Sequence, residues 1–113
     1  MSDEASGTAQ CIVVLVTVGS RESALRIGRS LVEEHLAACC NVIPGVTSIY
    51  RWEGEICEDE ELILVLKTRR SQLDLLKSRV AELHEYEVPE IIALPINDGS
   101  AAYLNWVREE TSP

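Results

Sequence analysis

Basic residues are scarce in this chain. Ten lysines and arginines stand against nineteen aspartates and glutamates, which gives a formal charge of -9 and a pI near 4.6. Such a surface repels phosphate backbones and anionic lipid, so nucleic acid and membrane are not expected partners. Proline and glycine are also few, at four and six, while 46% of the 113 residues are hydrophobic and 26% charged. That balance belongs to a packed domain, and 12.5 kDa suits one of them, expected over residues 10–111. Long apolar runs are missing: Ile12 to Val18 spans seven residues, against the roughly 20 that a membrane helix needs. The opening MSDEASGTAQ lacks the basic and apolar regions of a secretory signal, so residues 1–9 are expected to be a disordered acidic tail and the protein cytoplasmic. The four cysteines, Cys11, Cys39, Cys40 and Cys57, have neither CxxC nor zinc-knuckle spacing and are expected to be reduced thiols. No nucleophile elbow, P-loop or HExxH motif occurs, and the expectation is a protein that is not an enzyme.

The hydrophobic periodicity gives an order of elements. A β-branched run predicts a buried strand from Gln10 to Val18. Ser20 is a natural N-cap, with Glu22 in the first turn, for a helix through Leu36 whose inner face carries Ala24, Ile27, Gly28 and Leu31. Two long apolar stretches then flank Glu53-Gly54, where glycine can take a positive φ in a tight reversal. Pro44-Gly45 predicts a bulge in the first arm of this hairpin and places that arm at a sheet edge. Leu73, Leu76, Val80 and Leu83 predict a second helix within Thr68–Glu85, with Ser71 and Asp74 as its capping pair. Glu90 to Ile96 reads as a fourth strand interrupted by Pro95. A last short helix is expected to turn Tyr103, Leu104, Trp106 and Val107 inward.

The resulting βαββαβ order predicts an α+β, ferredoxin-like fold, with both main helices on one face of a four-stranded antiparallel sheet and an additional C-terminal helix. Yet Ile12 to Val16 and Leu62 to Leu66 are apolar at every position, which a strand with one wet face is not. Self-association through the uncovered face is the simplest solution. Acylphosphatases share this order of elements, but they use a basic phosphate cradle that so acidic a chain does not offer.

Several short motifs occur in a telling succession: Leu36-Ala-Ala-Cys39, Ile43-Pro-Gly45, Ser48-Ile-Tyr50-Arg-Trp52-Glu-Gly54, Leu66-Lys67-Thr68, His84-Glu-Tyr86 with Pro89-Glu90, and Tyr103-Leu-Asn-Trp106. From about residue 12 to 108 the chain resembles the CutA divalent-cation tolerance proteins. The resemblance implies a cytoplasmic homotrimer, similar in architecture to the PII signal transducers and linked to tolerance of copper and other divalent ions. It also implies copper ligands, a cysteine late in the first strand and two adjacent histidines near the end of the second helix. Those places here hold Val16 and Leu83-His84.

His84 and Cys39 are therefore the candidate metal ligands, for copper or another divalent cation. His84 lies close in sequence to Glu85, Glu87 and Glu90, and trimer packing could bring it further donors. Cys39 offers a thiolate suited to Cu(I), and adjacent Cys40 points to the other face of a strand, so one of the two at most serves any site. Against these stand the ordinary readings of a hydrogen-bonded C-terminal histidine and a small buried hydrophobe. Glu53, Glu55, Glu58, Asp59, Glu60 and Glu61 put six carboxylates around the hairpin tip, where a solvated tip competes with weak cation attraction. Tyr50, Trp52, Lys67, Tyr86 and Glu90 are the candidate lining of an intersubunit cleft. A lysine with aromatic walls would suit a PII-like sensor of a small anionic metabolite, whereas a Lys67–Glu90 ion pair is the structural alternative. A trimeric platform for a protein partner is the third reading.

Overall fold

The computed structural model describes residues 9–112. Of the expected acidic tail, residues 1–8 lie outside this range. The chain runs β1 (Cys11–Val18), α1 (Arg21–Glu33), β2 (Cys39–Trp52), β3 (Glu55–Arg69), a 3-10 turn (Arg70–Gln72), α2 (Leu73–Leu83), β4 (Ile91–Pro95) and α3 (Ala101–Glu110). The four strands form one antiparallel sheet in the order β2-β3-β1-β4, the ferredoxin-like arrangement.

Alternation along β1 and β3 decides which side is core. Ile12, Val14, Val16 and Val18 join Leu64 and Leu66 on one face, against Ala24, Ile27 and Leu31 of α1 and Leu76 and Val80 of α2. Arg79 of α2 ties the two helices together through a two-pronged ion pair with Glu34, at 2.9 and 3.0 Å. The other face carries Val13, Leu15, Ile63 and Val65, with Ile43, Ile92 and Leu94 exposed beside them. No helix among the described residues lies over the middle of this second face; α3 covers one end, where Val107 packs with Cys11 and Ala38.

The hairpin turns as its sequence dictates. Glu53 and Gly54 both have positive φ, 50° and 82°, which matches the twist of a two-residue reversal. The register of β2 slips between Ile43 and Val46, at Pro44-Gly45, so β2 is a bulged edge strand and β3 is central. Residues 55–61 of β3 pair with β2 alone, and the hairpin therefore projects beyond β1.

Four expectations need correction. The second helix does not begin at Thr68: β1 offers ladder partners as far as Arg69, and the ladder is taken first. Gln72, rather than a Ser71 cap, then anchors the turn by donating to the Thr111 carbonyl at 2.6 Å. The first helix stops at Glu33, because His35 adopts φ 62° and the Leu36 N–H closes back on the Leu31 carbonyl at 2.9 Å. Trp106 and Tyr103 do not turn inward; both stay exposed while Val107 and Leu104 take the inner face, since a helix of ten residues across one end of the sheet buries only one narrow stripe. Cys11 is buried at the same end, and its Sγ contacts the Leu104 carbonyl at 3.6 Å.

Candidate functional site

α2 ends at Leu83, and His84 leaves it in extended conformation with both of its ring nitrogens taken. Nε2 lies 2.7 Å from the Thr17 carbonyl, and Nδ1 lies 3.0 Å from the backbone nitrogen of Tyr86. A carbonyl oxygen only accepts and a backbone N–H only donates, so this pairing selects the Nε2–H tautomer. A metal at His84 would have to displace one of these bonds.

The His84 link docks the connection between α2 and β4 across the end of β1. Tyr86 follows, with its ring 4.7 Å from the His84 ring and its hydroxyl donating to Glu61 Oε2 at 2.6 Å. Gly19 makes room for it, since a Cβ there would stand 2.8 Å from the Tyr86 hydroxyl. Glu61 is only 7% exposed and is the one buried carboxylate among the described residues. On the neighbouring strand, Tyr50 donates its hydroxyl to Asp59.

These residues enclose a cleft of about 610 Å³ between the hairpin and residues 86–90, within the range of small-molecule sites. Tyr50, Trp52 and Tyr86 give it aromatic walls, and Glu61, Glu87 and Glu90 face it with carboxylates. Thr17 and Ser48 also line it, and no lysine or arginine does. Of the residues expected there, Tyr50, Trp52, Tyr86 and Glu90 come together. Lys67 does not: it lies further along the sheet, donating to Asn41 Oδ1 with Cys39 Sγ 4.0 Å away.

Cys39 is equally remote from His84. It sits opposite Lys67, which pairs with Val13, four residues along β1 from the Thr17 that holds His84, a separation of roughly 13 Å at ~3.3 Å per residue. Among the described residues, no three of histidine, cysteine, aspartate and glutamate are placed to hold one metal ion. Cys40 points the other way, into the α1 side against Gly28, and burial pushes its thiol up to about 11, with Cys39 adding to the shift. Val16, which stands where the resemblance implies a ligand, is fully buried in the core, and Leu83 packs against the same cluster.

Thr17 was not singled out from the sequence; Ser48 entered only within a motif and Glu87 only as an acid near His84. Glu61 looked like one more acid of the hairpin tip. Its parity was the available signal, since it shares a strand face with Ile63 and Val65. The other tip acids divide by the same alternation: Thr47 donates to Glu60 at 2.8 Å on one face, while Asp59 and Glu61 serve the tyrosines on the other.

All three tyrosines are held against ionisation. The hydrogen bond to Asp59 raises Tyr50 to about 12, burial and then the Glu61 bond raise Tyr86, and burial and then Cys39 raise Tyr103. An unfolded phenol ionises near pH ~10, so above that the unfolded chain releases protons that the folded chain keeps. This contribution to stability is complete below about pH 10 and is lost as pH rises through about 12. Phenolate absorbance of native protein is expected to lag that of denatured protein across this window, and the melting temperature to fall within it. Coincident titration curves would remove the proposed tyrosine–carboxylate bonds.

The fold and the cleft thus define a ferredoxin-like α+β chain with an acidic, aromatic site at the foot of a projecting hairpin. Comparison with known proteins names the family. The profile of the CutA1 divalent ion tolerance proteins matches residues 12–110, and the chain belongs to that family. It is 58% identical over 99 residues to the divalent-cation tolerance protein CutA of Thermus thermophilus, covering 88% of this chain and 96% of that one. It is 45% identical over 112 residues to the protein CutA of Homo sapiens, covering 97% of this chain but 63% of the longer relative. The solved Thermus thermophilus structure superposes with a TM-score of 0.89 at 56% identity, covering 90% of this chain and 99% of that one. CutA1 of Pyrococcus horikoshii gives 0.85 at 40% identity, with 90% and 99% covered. No helix among the described residues is long and apolar enough to cross a membrane.

Proposed function

We propose that this protein serves divalent-metal tolerance by binding rather than catalysis, as a cytoplasmic homotrimer assembled through the helix-free sheet face, with residues 10–111 as the working unit. The observation that carries this reading is the cleft: three carboxylates face it, one of them buried, and no basic side chain neutralises them. Carboxylate and hydroxyl oxygens suit divalent cations. The names of the relatives, divalent-cation tolerance proteins, point the same way. Since the described residues of one chain bring no three ligands to a point, the ion takes donors from more than one protomer, and the uncovered apolar face supplies the reason for protomers to meet. Copper is one candidate ion, with His84 and Cys39 as candidate ligands in addition to the cleft acids. An anionic metabolite is the weaker reading, because Lys67, its expected counter-charge, lies outside the cleft.

The test is calorimetric titration of the fully reduced, size-checked assembly with Cu(I), Cu(II) and Zn(II). Saturable binding is expected, weakened by roughly tenfold or more in the double variant Glu61→Gln/Glu90→Gln. Loss in His84→Ala or Cys39→Ser instead would move the site to that residue. A flat titration with all three ions would end the direct-binding reading.

A further inference from the structure

The metal reading uses the carboxylates of the cleft and leaves its aromatic walls without a role. In the single chain Tyr50, Trp52 and Tyr86 are 40%, 48% and 39% exposed, and the three rings line one recess. Two of the three rings are fixed. Asp59 holds the Tyr50 hydroxyl, while Glu61, the tilted His84 ring and the bare backbone at Gly19 together hold Tyr86. The phenols are pinned by their hydroxyl ends, so their faces stay presented to the cleft, and a ligand does not bear the entropy of ordering them. Tyr86 also ties Glu61 in place, so the aromatic wall and the buried acid form one unit.

Aromatic faces are electron-rich, and carboxylates at the same recess add full negative charge. Both features attract a cation, and the rings additionally attract an apolar body. A bare metal ion uses only the second feature and an anion neither. We infer that this cleft binds a small organic ammonium ion, its apolar part on Trp52 and the tyrosine faces and its charged nitrogen toward Glu61, Glu87 and Glu90. Charge complementarity selects this occupant, since no lysine or arginine of the same chain lines the recess. The volume of about 610 Å³ admits a ligand far larger than a hydrated metal ion. The inference shares its cleft with the metal reading but stands on the rings, which a metal does not need.

Three probes of one shape and different charge test it on the intact, size-checked assembly: benzylammonium, benzyl alcohol and benzoate, each followed by calorimetry. Benzylammonium is expected to bind at least about tenfold more tightly than benzyl alcohol, and benzoate least. Added salt weakens the cation selectively. Trp52→Leu, a change at an exposed side chain, is expected to lower benzylammonium affinity by about three- to tenfold. Glu61→Gln, which keeps an acceptor for Tyr86, is expected to reduce the preference for the cation. Absence of benzylammonium binding, equal affinity for the alcohol, or full affinity in Trp52→Leu would each overturn the inference. Zinc titration of Trp52→Leu separates the two readings, because an indole gives no metal ligand. Metal binding by the parent protein, with no benzylammonium binding, refutes this inference alone, and flat titrations of the parent with Cu(I), Cu(II) and Zn(II) while benzylammonium binds refute the metal reading alone.

Discussion

Leu64→Ala is expected to destabilise the protein by about 2–5 kcal/mol, read as a shift in the denaturation midpoint at constant protein concentration. Leu64 is fully buried in the central strand, in register with Val16 on one side and Val42 on the other. Its side chain meets the helices that cover that face, and the rigid ladder on both sides prevents the sheet from closing over the gap. The cost is therefore the lost transfer free energy plus a residual cavity, a large share of the ~5–15 kcal/mol that typically separates folded from unfolded. A loss below about 1 kcal/mol would mean that the helices relax onto the sheet, and the packing described for this face would be wrong.

Leu15→Glu is expected to have the opposite signature: the chain keeps its fold and the assembly comes apart. Leu15 lies on the helix-free face between Val65 and Ile92, away from the helix-packed core. In an isolated chain a glutamate there faces water at little cost. At a closed apolar interface it is a buried charge without a partner, which costs several kcal/mol for each protomer and is multiplied by the symmetry. Light scattering should then find a species near the 12.5 kDa of one chain. Strand content should be preserved. A variant that keeps the mass of the parent assembly would place the interface elsewhere and remove the argument from the uncovered face.

Much of the fold is a local matter, and that much was legible. Ser20 caps α1 by accepting the Ser23 N–H at 3.1 Å, as the sequence pattern required. Gly54 turns the hairpin, and Pro44-Gly45 bulges the edge strand, because both act through φ angles set within a few residues. The misplaced start of α2 shows where local reading fails. Ser71 and Asp74 are good helix-start residues, but whether the chain leaves the sheet at Thr68 or Arg69 depends on the partner that Cys11 offers across some 58 residues of sequence. Trp106 fails for the same reason: its type favours the interior, while the depth of the surface α3 rests on decides how much of the helix is covered.

The candidate site divides along the same line. The order βαββαβ, the uncovered apolar face, the net negative charge and most of the aromatic lining are legible in the residues alone, because periodicity, turn chemistry and composition are properties of neighbours along the chain. It took the folded arrangement to make Glu61 the buried acid of the site, to engage both ring nitrogens of His84 inside the chain, and to place Lys67 with Asn41 and Cys39 rather than with Glu90. Each of these is a pairing across strands or loops far apart in sequence. Register and docking set such distances, and hydrogen-bond and charge energies vanish unless the distance is met.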